Sequence, residues 1–526
     1  MRNARYHYYS KHFVFAATAL TASACAVGPD FVSPAAPSIS GYTENAPGTT
    51  TSTNTTAGNS QNFVPGKDIP AEWWKLFSSE ALDALIKQSL DANPDIQAAE
   101  ASLRQAKENV YAGEGAWFPS VNANAGETRE KFSPAAFGNT GSPAALFTLY
   151  NASVSVSYGI DIFGGNRREV EELRALADVQ NFQREAAYLT LAGNVVTAAV
   201  QEASLKAQLK ATQDIVDLEA HQLDVLKQQF KLGAIPKTAV LAQETTLAQE
   251  KTLLAPLKNQ LSQVHTQLAA LSGRFPNEKL EDDFELTTLR LPDELPVSLP
   301  SQLVEQRPDI RAAEAQLHAA SAEIGVTTAN LLPQITLTGS YGTQTTNFGN
   351  AFTSPTNVWN LGTGIVQPLF HGGQLWHQRK AAQAAYDKAE AQYRSTVLQA
   401  FKNVADSLHA LQFDAEALAA QDNAVQASKA NLDMSQAQFK DGAISYLSLL
   451  DAERAYAQAR IGLVQAQAAR FADTAALFQA LGGGWWNKES AEKDHADADA
   501  LCISGMNKID PVQSFRDAQD AGKEEQ

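Results

Sequence analysis

One nine-residue pattern occurs twice in this chain. Asn93-Pro94-Asp95-Ile96-Gln97-Ala98-Ala99-Glu100-Ala101 returns as Arg307-Pro308-Asp309-Ile310-Arg311-Ala312-Ala313-Glu314-Ala315, 214 positions on. At the same offset Phe118-Pro119-Ser120-Val121 meets Leu332-Pro333-Gln334-Ile335. Ile162-Phe163-Gly164-Gly165 is echoed by Phe370-His371-Gly372-Gly373 at an offset of 208. Gln229-Phe230-Lys231-Leu232-Gly233-Ala234-Ile235 is echoed by Gln438-Phe439-Lys440-Asp441-Gly442-Ala443-Ile444 at 209. Whatever one half folds into, the other half must fold into as well. A repeat of roughly 200 residues is far longer than a solenoid unit and points to duplication of half a protomer.

Each copy reads helix, two strands, long helix, turn, long helix. The first helix starts at a proline followed by an acid, Pro94-Asp95 or Pro308-Asp309, and ends before Pro119 or Pro333. Alternation follows. In residues 154–162 and 335–341 apolar or glycine positions alternate with Ser, Thr, Gly or Asp. Such strands serve a barrel wall, with apolar side chains toward lipid, or a half-buried sheet on a soluble core. Loops rich in Gly, Ser, Pro and Asn are expected at residues 133–147 and 345–357. Four strands in two separated hairpins cannot close a barrel alone, so closure requires several chains.

From about residue 167 to 231 there is no proline and a single glycine, Gly193; from 374 to 440 there is neither. Roughly 65 helical residues make a rod of about 100 Å. Both rods are rich in Ala, Gln, Leu and Glu, as coiled-coil contacts require. A cytosolic coiled coil is the competing reading, and it leaves the strands and the N-terminus unexplained. Gly233 and Gly442 end the rods, and Gly482-Gly483-Gly484 ends the last helix.

Arg2, Arg5 and Lys11 precede a short apolar stretch and small residues up to Cys25, the pattern of an export signal. Ser23-Ala24-Cys25 reads as a lipobox in which Cys25 is acylated, although Ala22 stands where leucine is usual; Ala22-Ser23-Ala24 also fits plain cleavage. Only Cys25 and Cys502 are present, so no disulfide framework is expected. The formal charge of −17 becomes −20 once the three basic residues before Cys25 are removed, which argues against nucleic acid. No apolar run reaches the roughly 18 residues of a transmembrane helix, so any span must be a closed β-barrel. Residues 26–66 have linker composition, with order expected from about Pro70, and the polar stretch after Trp485-Trp486 reads as a disordered acidic tail. No catalytic motif stands in a supporting context, and the nine histidines show no metal spacing. His495 among Asp494, Asp497 and Asp499 reads as part of a solvated tail. An enzyme, a resident metal and a cofactor are not expected. A non-conducting envelope tether is the competing function; it has no use for alternating strands.

Several stretches resemble the TolC-like outer-membrane factor family in its OprM-type lipoprotein branch. They are Cys25-Ala26-Val27-Gly28-Pro29-Asp30-Phe31, Trp73-Trp74-Lys75-Leu76-Phe77, Ala92-Asn93-Pro94-Asp95-Ile96, Gln306-Arg307-Pro308-Asp309-Ile310, Leu449-Leu450-Asp451-Ala452-Glu453-Arg454 and Ala480-Leu481-Gly482-Gly483-Gly484-Trp485. The resemblance spans roughly residues 25–487. It implies an α+β membrane protein whose homotrimer closes a twelve-stranded β-barrel, four strands per chain, continued by a long periplasmic α-helical barrel. It implies the exit duct of a tripartite efflux pump, docked on a periplasmic membrane-fusion adaptor and an inner-membrane RND-type transporter. The corresponding segments are a signal peptide (1–24), an anchored linker (25–66), first-repeat helices (67–118), a first barrel hairpin (119–163) and a first helical hairpin (164–273). An equatorial segment (274–332), a second barrel hairpin (333–370), a second helical hairpin (371–484) and the tail (485–526) complete the chain. The resemblance places Asp451, Arg454 and Phe439 at a periplasmic gate, and Gly233, Ala234, Gly442 and Ala443 at adaptor-facing tips. Phe439 stands where the family carries a tyrosine, so a hydroxyl contact from that position is missing. Arg454, three residues from Asp451, shares its helical face.

Overall fold

The computed structural model describes residues 26–45, 48–133, 141, 143–278 and 284–488. Cys25, the export segment, part of the first expected loop and the tail from 489 onward lie outside the described residues. The elements run β1 (Asn62–Pro65), α1 (Glu80–Ala92), α2 (Pro94–Glu114), β2 (Ser120–Phe132), β3 (Ala145–Ile160), α3 (Gly165–Lys231) and α4 (Lys237–Leu271). Then follow β4 (Glu294–Val297), α5 (Pro300–Gln306), α6 (Pro308–Ala329), β5 (Gln334–Thr345), β6 (Asn357–Val366), α7 (Gln374–Lys440) and α8 (Tyr446–Ala480).

The long helices α3 and α7 are each 67 residues, and the returning helices α4 and α8 are each 35. A rod of 67 residues extends about 100 Å. Each rod begins after a glycine at positive φ, Gly164 (74°) or Gly373 (83°), a conformation that needs no Cβ. Two shorter helices cover each rod end to end. On α3 these are α2 and α4, and Asn93 at the head of α2 donates from Nδ2 to Leu271 O at the foot of α4 (3.0 Å). On α7 these are α6 and α8, and Arg307 Nη1 donates to Ala480 O (2.8 Å). The largest core gathers at this waist. Trp73, Phe77, Phe471, Phe478 and Leu295 are buried there, and the Trp73 and Phe478 rings stack 5.3 Å apart. Each such side chain contributes about 2 kcal/mol or more on burial.

The two β-hairpins do not stay apart. They join through β3 and β5 into one antiparallel sheet in the order β2-β3-β5-β6. Register lines up Val121 with Val156 and Ala123 with Val154. Val154 then meets Tyr341, Tyr158 meets Leu337, and Ile160 meets Ile335. Tyr341 meets Trp359, and Ile335 meets Ile365. Directly opposed residues share a face, so these side chains form one apolar face. Asn122, Asn124, Ser153, Ser155, Thr336, Thr338, Ser340 and Asn360 fall on the other, which is polar apart from Phe132, Phe147 and Leu149 toward the β2–β3 turn and Val358 and Val366 on the edge strand. The apolar face is bare; Leu361 is 81% exposed. β3 begins at Ala145, inside the expected loop, because Leu146 and Phe147 continue the ladder opposite Lys131 and Glu130. No helix is long and apolar enough to cross a membrane among the described residues.

Residues 26–45 and 48–66 have little regular structure but are pinned, and order begins well before Pro70. Val27 N donates to Phe163 O (2.9 Å), Arg168 Nη2 pairs with Asp30 (2.5 Å), and Phe31 stacks on His318. Further along, Arg470 is fully buried. Its guanidinium donates to Ala57 O (2.6 Å), Asn59 O (3.1 Å), Gln61 Oε1 (2.8 Å) and Thr50 Oγ1 (3.3 Å). Ala57 accepts a left-handed backbone (φ 60°) to present that carbonyl. Linker composition hid this anchor because the segment contributes backbone carbonyls rather than apolar side chains. Where the tail was expected, Trp485 Nε1 still donates to Gln306 O (2.7 Å) and Lys488 pairs with Glu185 (3.0 Å).

Arg470→Ala leaves several buried acceptors unpaired and should destabilise the protein by about 3 kcal/mol. Hydrogen exchange should accelerate at the strap amides of residues 50–61 and far less in the sheet. Unchanged strap protection would show that other contacts hold it.

Candidate functional site at the helix turns

Both hairpins turn by the same backbone device. Gly233 (φ 74°) and Gly442 (φ 71°) follow the last helical turn. Gly233 N donates to Phe230 O and Ala234 N to Gln229 O, both at 2.9 Å. Gly442 N donates to Phe439 O (3.0 Å) and Ala443 N to Gln438 O (2.8 Å). These paired bonds satisfy the final helix carbonyls in a Schellman motif. A Cβ at either glycine would meet nothing within 4 Å, so the requirement is for φ and not for space. Leu232, just before the first glycine, is 84% exposed.

The structure separates the expected gate residues. Asp451 is exposed on α8. Arg454 does not pair with it; Nη2 donates instead to Thr246 Oγ1 on α4 (2.5 Å). That bond ties the second hairpin to the first. Phe439 packs edge-on against Tyr446, ring centres 5.8 Å apart. Tyr446 then supplies a hydroxyl that position 439 lacks, donating to Gln243 Oε1 on α4. Gln243 is fully buried, and its Nε2 donates to Glu219 O on α3 (3.1 Å). One polar chain thus runs α8 to α4 to α3.

Two buried carboxyls share this layer. Glu219 is pushed up to about 7, first by burial, then by Glu250 and Glu453, with Arg454 opposing. Glu453 is pushed up to about 7 by burial. Sequence reasoning missed Tyr446, Gln243, Thr246, Glu219 and Glu453. A signal existed for Glu219, because Val216, Glu219, Leu223 and Leu226 keep the 3-4-3 spacing of a buried helix stripe. An acid inside such a stripe is buried. Among the described residues no group of three or more His, Cys, Asp or Glu side chains could hold a metal.

A two-faced sheet joined to paired rods about 100 Å long is the build of a duct, and comparison with known proteins identifies the class. The profile of the outer membrane efflux protein family matches residues 85–274 and 299–483. The pyoverdine export outer membrane protein OpmQ of Pseudomonas putida is 30% identical over 417 residues, 78% of this chain and 88% of that protein. The probable outer membrane lipoprotein SilC of Salmonella typhimurium is 28% identical over 424 residues, 78% of this chain and 88% of that one. The solved structure of the outer-membrane channel OprN superposes with a TM-score of 0.78 at 26% identity, covering 88% of this chain and all of that one. The chain belongs to the outer membrane efflux protein family. It is an outer-membrane channel of an efflux system, in a family of channels and not of enzymes.

Tyr446→Phe strands the buried Gln243 carbonyl and should weaken the turn end locally by about 1–3 kcal/mol. Limited proteolysis near Gly442 should be faster than in the wild type, with the sheet unaffected. Equal cleavage rates would exclude Tyr446 from the network.

Proposed function

We propose that three copies of this chain close one barrel and one periplasmic duct, and that the helix turns gate it. Four strands leave β2 and β6 as open edges, and an open edge is untenable in lipid. Twelve strands from three chains remove every edge, with the apolar face toward lipid and the Ser, Thr and Asn face toward the lumen. The same end of each edge carries bare apolar side chains, Phe118 before β2 and Leu369 and Phe370 after β6. In a trimer these meet across the subunit boundary. The observation that carries this reading is the single sheet with one apolar and one polar face, continuous with paired rods about 100 Å long.

Such a duct carries no energy source. A periplasmic membrane-fusion adaptor would dock at the turns around Gly233, Ala234, Gly442 and Ala443, and an RND-type inner-membrane transporter would drive flux through it. Cys25 would anchor the chain by acylation. Ala26 and Val27, the next residues, lie against Gly164 and Phe163 at the foot of β3, the level at which an acyl chain would enter the barrel's lipid annulus. Cys25→Ser should abolish metabolic lipid labelling and leave trimers intact, whereas an unmodified mature N-terminus in the wild type would reject the anchor.

Asp451 is exposed on α8, beside residues that lock the hairpins together. Three copies around an axis form an acidic ring that favours cations. In planar bilayers the purified protein should conduct, and Asp451→Ala should weaken cation preference and block by multivalent cations, while Asp497→Ala in the tail should not. Equal selectivity and block in wild type and Asp451→Ala would make Asp451 an ordinary surface carboxylate.

A further inference from the structure

The layer that joins the two hairpins near their turns contains two buried acids that form no salt bridge among the described residues. Glu219 on α3 is 1% exposed and Glu453 on α8 is 6% exposed, and these two helices pack directly. Neither carboxyl oxygen of Glu219 has a hydrogen-bond partner, nor has Oε2 of Glu453. An ionised carboxylate in such a place is strongly disfavoured.

The surrounding charges relieve them only in part, Arg454 acting on Glu219 against Glu250 and Glu453. From α4 the facing group is another acid, Glu250. From α8 it is Arg454, whose Nη2 is engaged by Thr246. The Tyr446 hydroxyl is directed to Gln243. Three further cations, on α3, α7 and α8, hold partners of their own. Arg460 pairs with Asp214 (3.7 Å) and Lys227 with Glu244 (3.2 Å). On α7, Lys429 pairs with Asp433.

We propose that Glu219 and Glu453 form a proton-operated latch between the hairpins, neutral while the turn end is closed and loosening α8 from α3 and α4 when they ionise. This rests on reading the turn end as the gate. Ionisation puts two like charges in one buried layer, and their added pull on Arg454, which already acts on Glu219, competes with its bond to Thr246. Breaking that bond removes a tie between the hairpins and frees α8, which also carries Asp451.

The sign follows from proton binding. Both groups titrate near 7 in the closed layer, against 4.5 for a free glutamate. Between those values the closed state holds more protons than an open one. Its stability is therefore greatest at or below about pH 4.5, falls as pH rises through the window, and is lowest above about 7.

The test is the open probability of the full-length protein in planar bilayers between about pH 5 and about pH 7.5. In the wild type it should rise about tenfold or more across this window. The Glu219→Gln/Glu453→Gln double variant should stay at the low-pH level throughout, and either single variant should show a reduced slope. Asp497→Ala in the tail should keep the full pH response. Hydrogen exchange at residues 439–454, corrected for intrinsic rate, gives an independent reading. It should quicken with pH in the wild type and not in the double variant. An unchanged pH rise in the double variant overturns the latch. So does a flat wild-type profile when Arg454→Ala still opens the channel, and that outcome leaves the gate reading standing. If neither pH nor Arg454→Ala alters opening, the gate reading falls and the latch falls with it.

Discussion

The two helices of 67 residues do not pack along each other, and the way each is covered organises everything else. Each rod is flanked by two shorter helices that meet head to foot. Helix ends expose unpaired carbonyls and amides, so a junction of ends in the middle of a packed rod requires partners for them. Asn93 and Arg307 provide these by donating to Leu271 O and Ala480 O. The same positions in the two repeats solve the same problem with different side chains. Around this junction the chain builds its largest core, and β1, β4, α1 and α5 assemble there.

Away from the waist the hairpins are held by thinner and more polar contacts. Toward the turns, apolar side chains form only small clusters, around Leu226 and around Leu449. Polar ties such as Arg454 to Thr246 and Gln243 to Glu219 O lie between them. Separating the helices there would expose little apolar area, whereas separating them at the waist would expose Trp73, Phe77 and Phe478. A local opening would therefore expose the least apolar surface at the turn end. The strap limits the other end by threading its carbonyls onto the buried Arg470 and its Asp30 onto Arg168.

The repeat, the rods, the turns and the alternating strands were all legible in the residues, because each is a local or periodic pattern. A proline-free stretch rich in alanine and glutamine has few alternatives to helix, and Gly233 and Gly442 mark where it must stop. Alternation at Val154, Val156, Tyr158 and Ile160 fixes which side chains share a face. Membership in the efflux family was equally legible, since it rests on motifs in a fixed order.

Partners distant in sequence were not legible. Arg454 lies three residues from Asp451, and spacing alone made them candidates to pair. Packing of α8 on α3, which also carries α4, gave Arg454 to Thr246, 208 positions away, and left Asp451 in solvent. Nor could sequence show that Tyr446 replaces the hydroxyl missing at Phe439, that a linker-like segment buries an arginine, or that two hairpins fuse into one sheet. Sequence by itself determined the elements and their periodic faces, because backbone sterics and burial act over a few residues. Tertiary structure decided which polar groups meet, because a side chain several ångströms long chooses among whatever acceptors the packed helices bring within reach.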